Sequence, residues 1–258
     1  KVMVIDVAGR FGSRFNAGTS MVEGLRGMGL THIDVLLISH NQSDHVGGAF
    51  SLLHRVNSSG ELWLADVPEN RQSGRIEALS QLVLSRGGVV RWLRQGDSVA
   101  FAGSEGDVLW PPLDYAPANV NDDSLVLHLR LPTSQYLLFG GDIEAPVEAA
   151  LLSQQRQALR TDIMLMPHHG SASSSTQAFV AATRPSLVIA QTGYANRYGF
   201  PSQIVQARYR AVGASLLNTA DGAVVLDLHD TGGYSLRPVE PVESLKRNRA
   251  LQWWQHFL

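Results

Sequence analysis

The run Ile33-Asp34-Val35-Leu36-Leu37-Ile38 is short and almost continuously apolar, and it stops abruptly at Ser39-His40-Asn41-Gln42-Ser43-Asp44-His45, after which Gly47-Gly48 opens a helical pattern. This order describes a buried strand that delivers two histidines and an aspartate into a loop. Imidazole suits zinc or manganese, and carboxylate suits manganese or magnesium, so the mouth of such a strand has the chemistry of a divalent-metal cradle. A chain with this feature is expected to build a sheet whose strand ends carry its chemistry.

The feature recurs. Asn121-Asp122-Asp123-Ser124 precedes a strand, Phe139-Gly140-Gly141-Asp142 ends one, and Met166-Pro167-His168-His169-Gly170-Ser171 ends another. A lone Gly-Gly-Asp is ordinary turn composition, whereas adjacent histidines followed by glycine can approach a site closely. With no cysteine in the 258 residues, thiolate zinc sites and disulfide frameworks are excluded, leaving histidine and carboxylate as the strong ligands. The formal charge of −2 means that any nucleic-acid contact has to come from a local basic patch. No apolar run reaches the ~18 residues of a membrane span.

Between these mouths, strands alternate with helices as in an α/β core. Strands are expected at Val2–Asp6, at 33–38, Glu61–Ala65, Val89–Leu93, Ser98–Ala102 and Asp107–Leu109, then Ser124–Leu131, Tyr136–Phe139, Ile163–Met166, Leu187–Ala190, Ala214–Leu217 and Ala223–Leu228. Helices are expected after a Ser20 cap, from Gly48 through Val56, near Arg75–Ser85, over Ala145–Ala158, from Thr176, and over Ser202–Val212. Trp63, Trp92 and Trp110 are expected in the core. Residues 239–258 form a terminal amphipathic tail or the start of further chain, and the sequence opens already inside a strand, as a piece of something longer would.

The ordered set His40-x-x-x-Asp44-His45-x-Gly47-Gly48, Asn121-x-x-Ser124-Leu125-Val126-Leu127, Gly140-Gly141-Asp142-Ile143 and Pro167-His168-His169-Gly170-Ser171 resembles the metallo-β-lactamase superfamily, and within it the carboxy-terminal domain of the ComEC DNA-uptake channel proteins of competent bacteria. Asn196-Arg197-Tyr198-Gly199-Phe200-Pro201 fits the same family. The resemblance covers nearly all of residues 1–238 and implies an α+β fold, a four-layer α/β/β/α sandwich, whose usual first strand is missing here. It also implies one or two divalent ions, manganese or zinc. Asp44, His45, Asp142 and His169, with His168 as the alternative, would hold one; His40, Gln42 and Asp142 would hold the other, with Asn121 or Asp122 near the place of a further family ligand. Asp44 and Asp142 would be the catalytic carboxylates. Two positions depart from the family pattern: Gln42 stands where histidine or aspartate is usual, and Phe200 where histidine is common.

On this resemblance the expected activity is hydrolysis of DNA phosphodiesters, degrading the strand that is not imported, with single-stranded DNA and the transmembrane channel of the parent chain as partners. The expected location is the extracytoplasmic, periplasmic face of the inner membrane. Arg10, Arg14, Ser171, Ser173 and Arg197 are the candidate phosphate contacts. Two other readings are a catalytically degenerate DNA-binding or gating module, to which Gln42 and Phe200 point, and a hydrolase of a small ester, lactone or thioester.

Overall fold

In the computed structural model, the described residues are 1–237 except 12–14, 58–59, 116–118, 194 and 231–232. Arg14 and the tail at 239–258 lie outside them, and of Arg10 only the backbone is described. The chain forms two compact units, one of Lys1–Ala102 with Asp107–Val126, the other of Gly103–Gly106 with the chain from Leu127 onward.

The first unit contains β1 (Met3–Ile5), β2 (Arg10–Phe11), β3 (Phe15–Asn16), α1 (Ala17–Gly27), β4 (Val35–Ile38), α2 (Ser43–Val46), α3 (Ala49–Leu53), β5 (Glu61–Ala65), α4 (Pro68–Gln72), α5 (Gly74–Ser85), β6 (Val89–Leu93) and β7 (Ser98–Phe101). Strand β8 (Ser104–Trp110) spans the boundary between the units. Strands β1, β4, β5 and β6 form a parallel sheet in that order. Parallel strands need crossover connections, and the helical patterns between the apolar runs supply them. Leu36, Ile38, Leu62 and Leu64 are buried among Val22, Leu52, Ile76 and Leu79 of the helices. Trp63 and Trp110 are core residues as expected; Trp92 is only partly buried, with the Arg71 guanidinium 3.9 Å over its ring.

Helix α1 begins earlier than the expected Ser20 cap. Asn16 caps it, accepting from the Thr19 N–H at 3.4 Å, and Gly18 falls inside its first turn. That placement has a steric reason: a Cβ on Gly18 would lie 2.0 Å from the Gly48 carbonyl oxygen, and one on Gly48 would lie 2.6 Å from the Gly18 nitrogen. The Gly-Gly pair after His45 therefore lets the backbone of α1 cross that of the following helix at close range.

The second unit contains β9 (Val126–Arg130), β10 (Tyr136–Phe139), α6 (Ala145–Gln155), β11 (Ile163–Leu165), α7 (Gln177–Thr183), β12 (Leu187–Ala190), α8 (Gln203–Ala211), β13 (Ser215–Asn218), β14 (Val225–Leu228) and β15 (Tyr234–Arg237). Its sheet runs β9 antiparallel to β10, then β11, β12 and β13 all parallel. The β14–β15 ribbon lays Leu226, Leu228 and Tyr234 against Ile163, Leu187 and Ile189. The expected helix over Ala145–Ala158 stops at Gln155 and ends in a 3-10 turn over Arg156–Leu159.

Candidate metal centre

In the first unit, parallel pairing sets the site. Ile5 of β1 lies beside Leu37 of β4, so the residues just past each strand, Asp6 and Ser39-His40, emerge side by side. Asp6 takes left-handed backbone angles and turns its carboxylate onto the next strand end. Its Oδ1 accepts the Ser39 N–H at 2.7 Å; its Oδ2 accepts the Ser39 hydroxyl and His45 Nδ1, each at 2.7 Å. The backbone stitches the same residues together, with Val7 N donating to His45 O and Gly48 N to Ala8 O.

Counting protons constrains both ring tautomers. The only hydroxyl proton of Ser39 goes to Asp6, so Ser39 Oγ accepts from His40 Nδ1 at 3.0 Å. A carboxylate only accepts, so His45 Nδ1 donates to Asp6. His45 is thereby protonated at Nδ1, as is His40 with Ser39 as its acceptor; in the neutral rings the lone pair then lies on Nε2, with rings 4.1 Å apart and both residues buried. An Nδ1–H held by a carboxylate or hydroxyl is the arrangement that makes histidine an oriented metal ligand. Ser124 Oγ also lies 3.3 Å from His40 Nδ1.

The remaining expected ligands of this unit are placed less uniformly. Asp44 sits in the first turn of α2, one residue before His45. Gln42 donates its side-chain amide to Asn121 Oδ1 at 2.5 Å, so the departure from the family pattern is tied to the other neutral oxygen donor expected at that position. Asn121 and its neighbours form a 3-10 turn, Asn121–Asp123, before the strand. Asp123 is 1% exposed, and neither carboxylate oxygen has a hydrogen-bond partner among the described residues. Burial, with the nearby Glu69 and Asp122 carboxylates, pushes its pKa up to about 7.

The second unit repeats the plan. Strands β10, β11 and β12 are parallel neighbours, so Asp142, His168-His169 and Gln191 all follow the same ends of adjacent strands. His168 N donates to Gly141 O at 3.1 Å. His169 Nδ1 donates to the Gln191 carbonyl at 2.8 Å, and its Nε2 lies 3.5 Å from Asp142 Oδ2. His168 Nδ1 faces Glu144 Oε1 at 3.1 Å, and its Nε2 is 3.9 Å from the same Asp142 oxygen. Both histidines have positive φ, 47° and 54°, in the left-handed region that is uncommon for residues other than glycine.

Ser171 and Ser173 are bonded to each other at 2.9 Å, and Ser173 donates to Glu144 at 2.8 Å, so they brace the His168 loop. Thr176 caps α7, accepting from Phe179 N. Buried Glu148 of α6 accepts the N–H groups of Ser175 and Thr176, while Arg208 donates to the carbonyls of Ser174 and Ser175. Arg197 is exposed and donates to the Tyr198 hydroxyl at 2.6 Å. Sequence reading passed over Asp6 and Glu144 as site residues. Their signal was only an acid one residue past a strand and an acid before a helix.

No protein-family model matches the chain. A crystal structure of a metal-dependent hydrolase of the β-lactamase superfamily shares its fold, with a TM-score of 0.50 at 13% identity over 83% of this chain and 93% of that one. The fold is therefore the expected α+β, metallo-β-lactamase-like one. Competence protein ComA of Neisseria gonorrhoeae is 32% identical over 204 residues, 79% of this chain and 26% of that protein. The chain belongs to the ComEC competence family. ComE operon protein 3 of Bacillus subtilis is 27% identical over 188 residues, 72% of this chain and 23% of that protein. This ComEC-family chain spans about a quarter of the length of the curated relatives it matches. No helix among its described residues is long and apolar enough to cross a membrane.

The donor chemistry of the ComEC-family chain fits a divalent metal. His40, His45 and His169 are each held at Nδ1 by an acceptor that leaves the Nε2 lone pair as the ligand atom, and carboxylates stand at Asp44 and Asp142.

Proposed function

We propose that the domain is a metal-dependent phosphodiesterase that degrades DNA during natural transformation. His40, Asp44, His45, Asp142 and His169 would hold the divalent ion or ions, with His168 and Gln42 as the alternative and the weaker ligand. The observation that carries this reading is the shared Nδ1-protonated state of the histidines, because acceptors spent on fixing a tautomer are explained by a ligand waiting at the other nitrogen. When bound, such an ion supplies Lewis-acid polarisation of a phosphoryl oxygen and makes water acidic enough to attack near neutral pH. Asp6 and Ser39 orient the rings, Gln191 orients His169, and Glu144 with Ser173 holds the His168 loop. The competence relatives support a role in competence; DNA as substrate, in single-stranded form, the channel portion of a longer parent and an extracytoplasmic, membrane-attached position are proposed with it. Arg10, Arg14 and Arg197 are the cations proposed to meet phosphate, with Ser171 and Ser173 beside them.

A degenerate DNA-binding or gating module is the second reading, favoured by one observation: the Gln42 amide is committed to Asn121. One experiment separates the two. The chain is loaded with manganese or zinc, bound metal is counted, and cleavage of single-stranded DNA is followed for the wild type, His45→Ala and Gln42→Asp. Bound metal with cleavage lost only in His45→Ala supports the phosphodiesterase. Cleavage by Gln42→Asp alone supports the degenerate module, and absence of bound metal overturns the enzyme reading.

A further inference from the structure

The segment after β12 builds a stack of rings beside the histidine loop. Asn196 pins its turn from both sides, accepting from Phe200 N at 2.9 Å and donating to Phe200 O at 2.8 Å and Gly193 O at 3.3 Å, with Gly199 in the left-handed region at φ 66°. The turn is docked on the histidine loop: Ser202 N donates to Gly170 O at 2.9 Å, and a Cβ on Gly170 would lie 2.4 Å from Pro201 Cβ. On this base Phe200 meets His168 edge-on at 6.0 Å, and Tyr198 stacks over Phe200 at 5.4 Å with planes 20° apart. The Arg197 guanidinium sits 4.8 Å over the Tyr198 ring while donating to its hydroxyl.

Tyr198 is 58% exposed. An exposed ring packed against a second ring, with a cation over it that also bonds its hydroxyl, has already lost its rotamer freedom, so a planar guest that stacks on its open part or displaces the cation pays little further ordering cost. A planar guest with a phosphate attached is a nucleotide, and arginine supplies the charge that tracks the backbone.

We propose that Tyr198, backed by Phe200 and flanked by Arg197, is a base-stacking subsite for single-stranded DNA, which holds an unpaired nucleobase next to the histidine loop. The proposal rests on the phosphodiesterase reading and names how that site would recognise its substrate. Phe200, which departs from the histidine common in related domains, becomes the hydrophobic floor of the stack. The subsite is sequence-tolerant, because every base has a π face, and it discriminates against duplex, whose bases are already stacked.

The test uses the full chain in chelator, so that nothing is cut, and a fluorescein-labelled oligothymidylate of about twelve nucleotides, together with the same backbone made abasic and with the corresponding duplex. Fluorescence anisotropy is expected to show Tyr198→Ala weakening the oligothymidylate by roughly 5- to 100-fold, with no change for the abasic strand or the duplex, and Tyr198→Trp restoring binding. Arg197→Gln is expected to weaken all strands and lower the salt slope by about one. Equal loss for normal and abasic strands, no loss for either, failure of Tyr198→Trp to restore binding, or a wild type that binds no oligothymidylate would each overturn the subsite. Hydrolysis of bis-p-nitrophenyl phosphate by the metal-loaded wild type, which needs no base, reports separately on the phosphodiesterase reading.

Discussion

The Asp6 carboxylate accepts His45 Nδ1 at 2.7 Å across 39 positions of sequence, and the same oxygen accepts the Ser39 hydroxyl. One acid thus sets the tautomers of two histidines, His45 directly and His40 through the Ser39 oxygen. Replacing it with alanine should leave both rings free to rotate and to exchange tautomers. Metal affinity of Asp6→Ala, measured by competition with a chelating dye, is expected to fall by about 10- to 100-fold. In the metal-free wild type, imidazole nitrogen chemical shifts should show His40 and His45 protonated at Nδ1, and in Asp6→Ala they should not.

Helix α1 offers an internal control for close packing. Gly18 has backbone of the Gly48 turn within 2.0 Å of where a Cβ would be, and Gly24 in the same helix has nothing within 4 Å. Gly24→Ala should stabilise by roughly 0.5–1 kcal/mol from helix propensity alone. Gly18→Ala should destabilise by about 1–3 kcal/mol or more, because backbone cannot rotate out of the way. Urea unfolding of the two variants gives the comparison.

Asp123 predicts a pH dependence of stability. In the unfolded chain it ionises near its ordinary 3.8, while the fold keeps it protonated up to about 7. Between those values the folded state binds the extra proton, so the stabilising contribution is full below about pH 4 and is lost as pH rises to about 7. The loss is on the order of 2–4 kcal/mol. Asp123→Asn should flatten that part of the profile, and unfolding measured at both ends of the window tests it.

Glu148 is fully buried and holds the turn after the histidine loop through the Ser175 and Thr176 amides. Burial raises its pKa against the effect of those bonds and of Arg208. Glu148→Ala leaves the Ser175 and Thr176 amides without their acceptor and Arg208 without the nearby opposite charge, and should cost about 3–5 kcal/mol. Glu148→Gln, which keeps one acceptor oxygen, should cost roughly 1–2 kcal/mol. Denaturant midpoints should rank wild type, Gln and Ala in that order.

The strand ends were legible in the sequence because a buried parallel strand has to be apolar until it stops, and its last apolar residue marks where His40, Asp142 or His168 begins. The ring tautomers were not legible, since they depend on partners 39 and 22 positions away that only parallel pairing brings alongside. Asn16 was hidden as a cap behind the glycines after it, which looked like loop until Gly48 gave Gly18 a packing reason. The segment holding Tyr198 was legible as part of the family pattern, but its ring stack was not, because it depends on Asn196 clamping the turn around it.

Asp142, His168-His169 and Gln191 are each carried on a separate connection, yet they follow the ends of three adjacent strands. The pitch of the sheet, about 4.8 Å per strand, sets the spacing of the strand ends from which their loops start. The sheet acts as a ruler graduated in hydrogen bonds. A loop change would move a single donor, whereas a cavity opened beneath Met164 or Val188 would shift the graduations themselves.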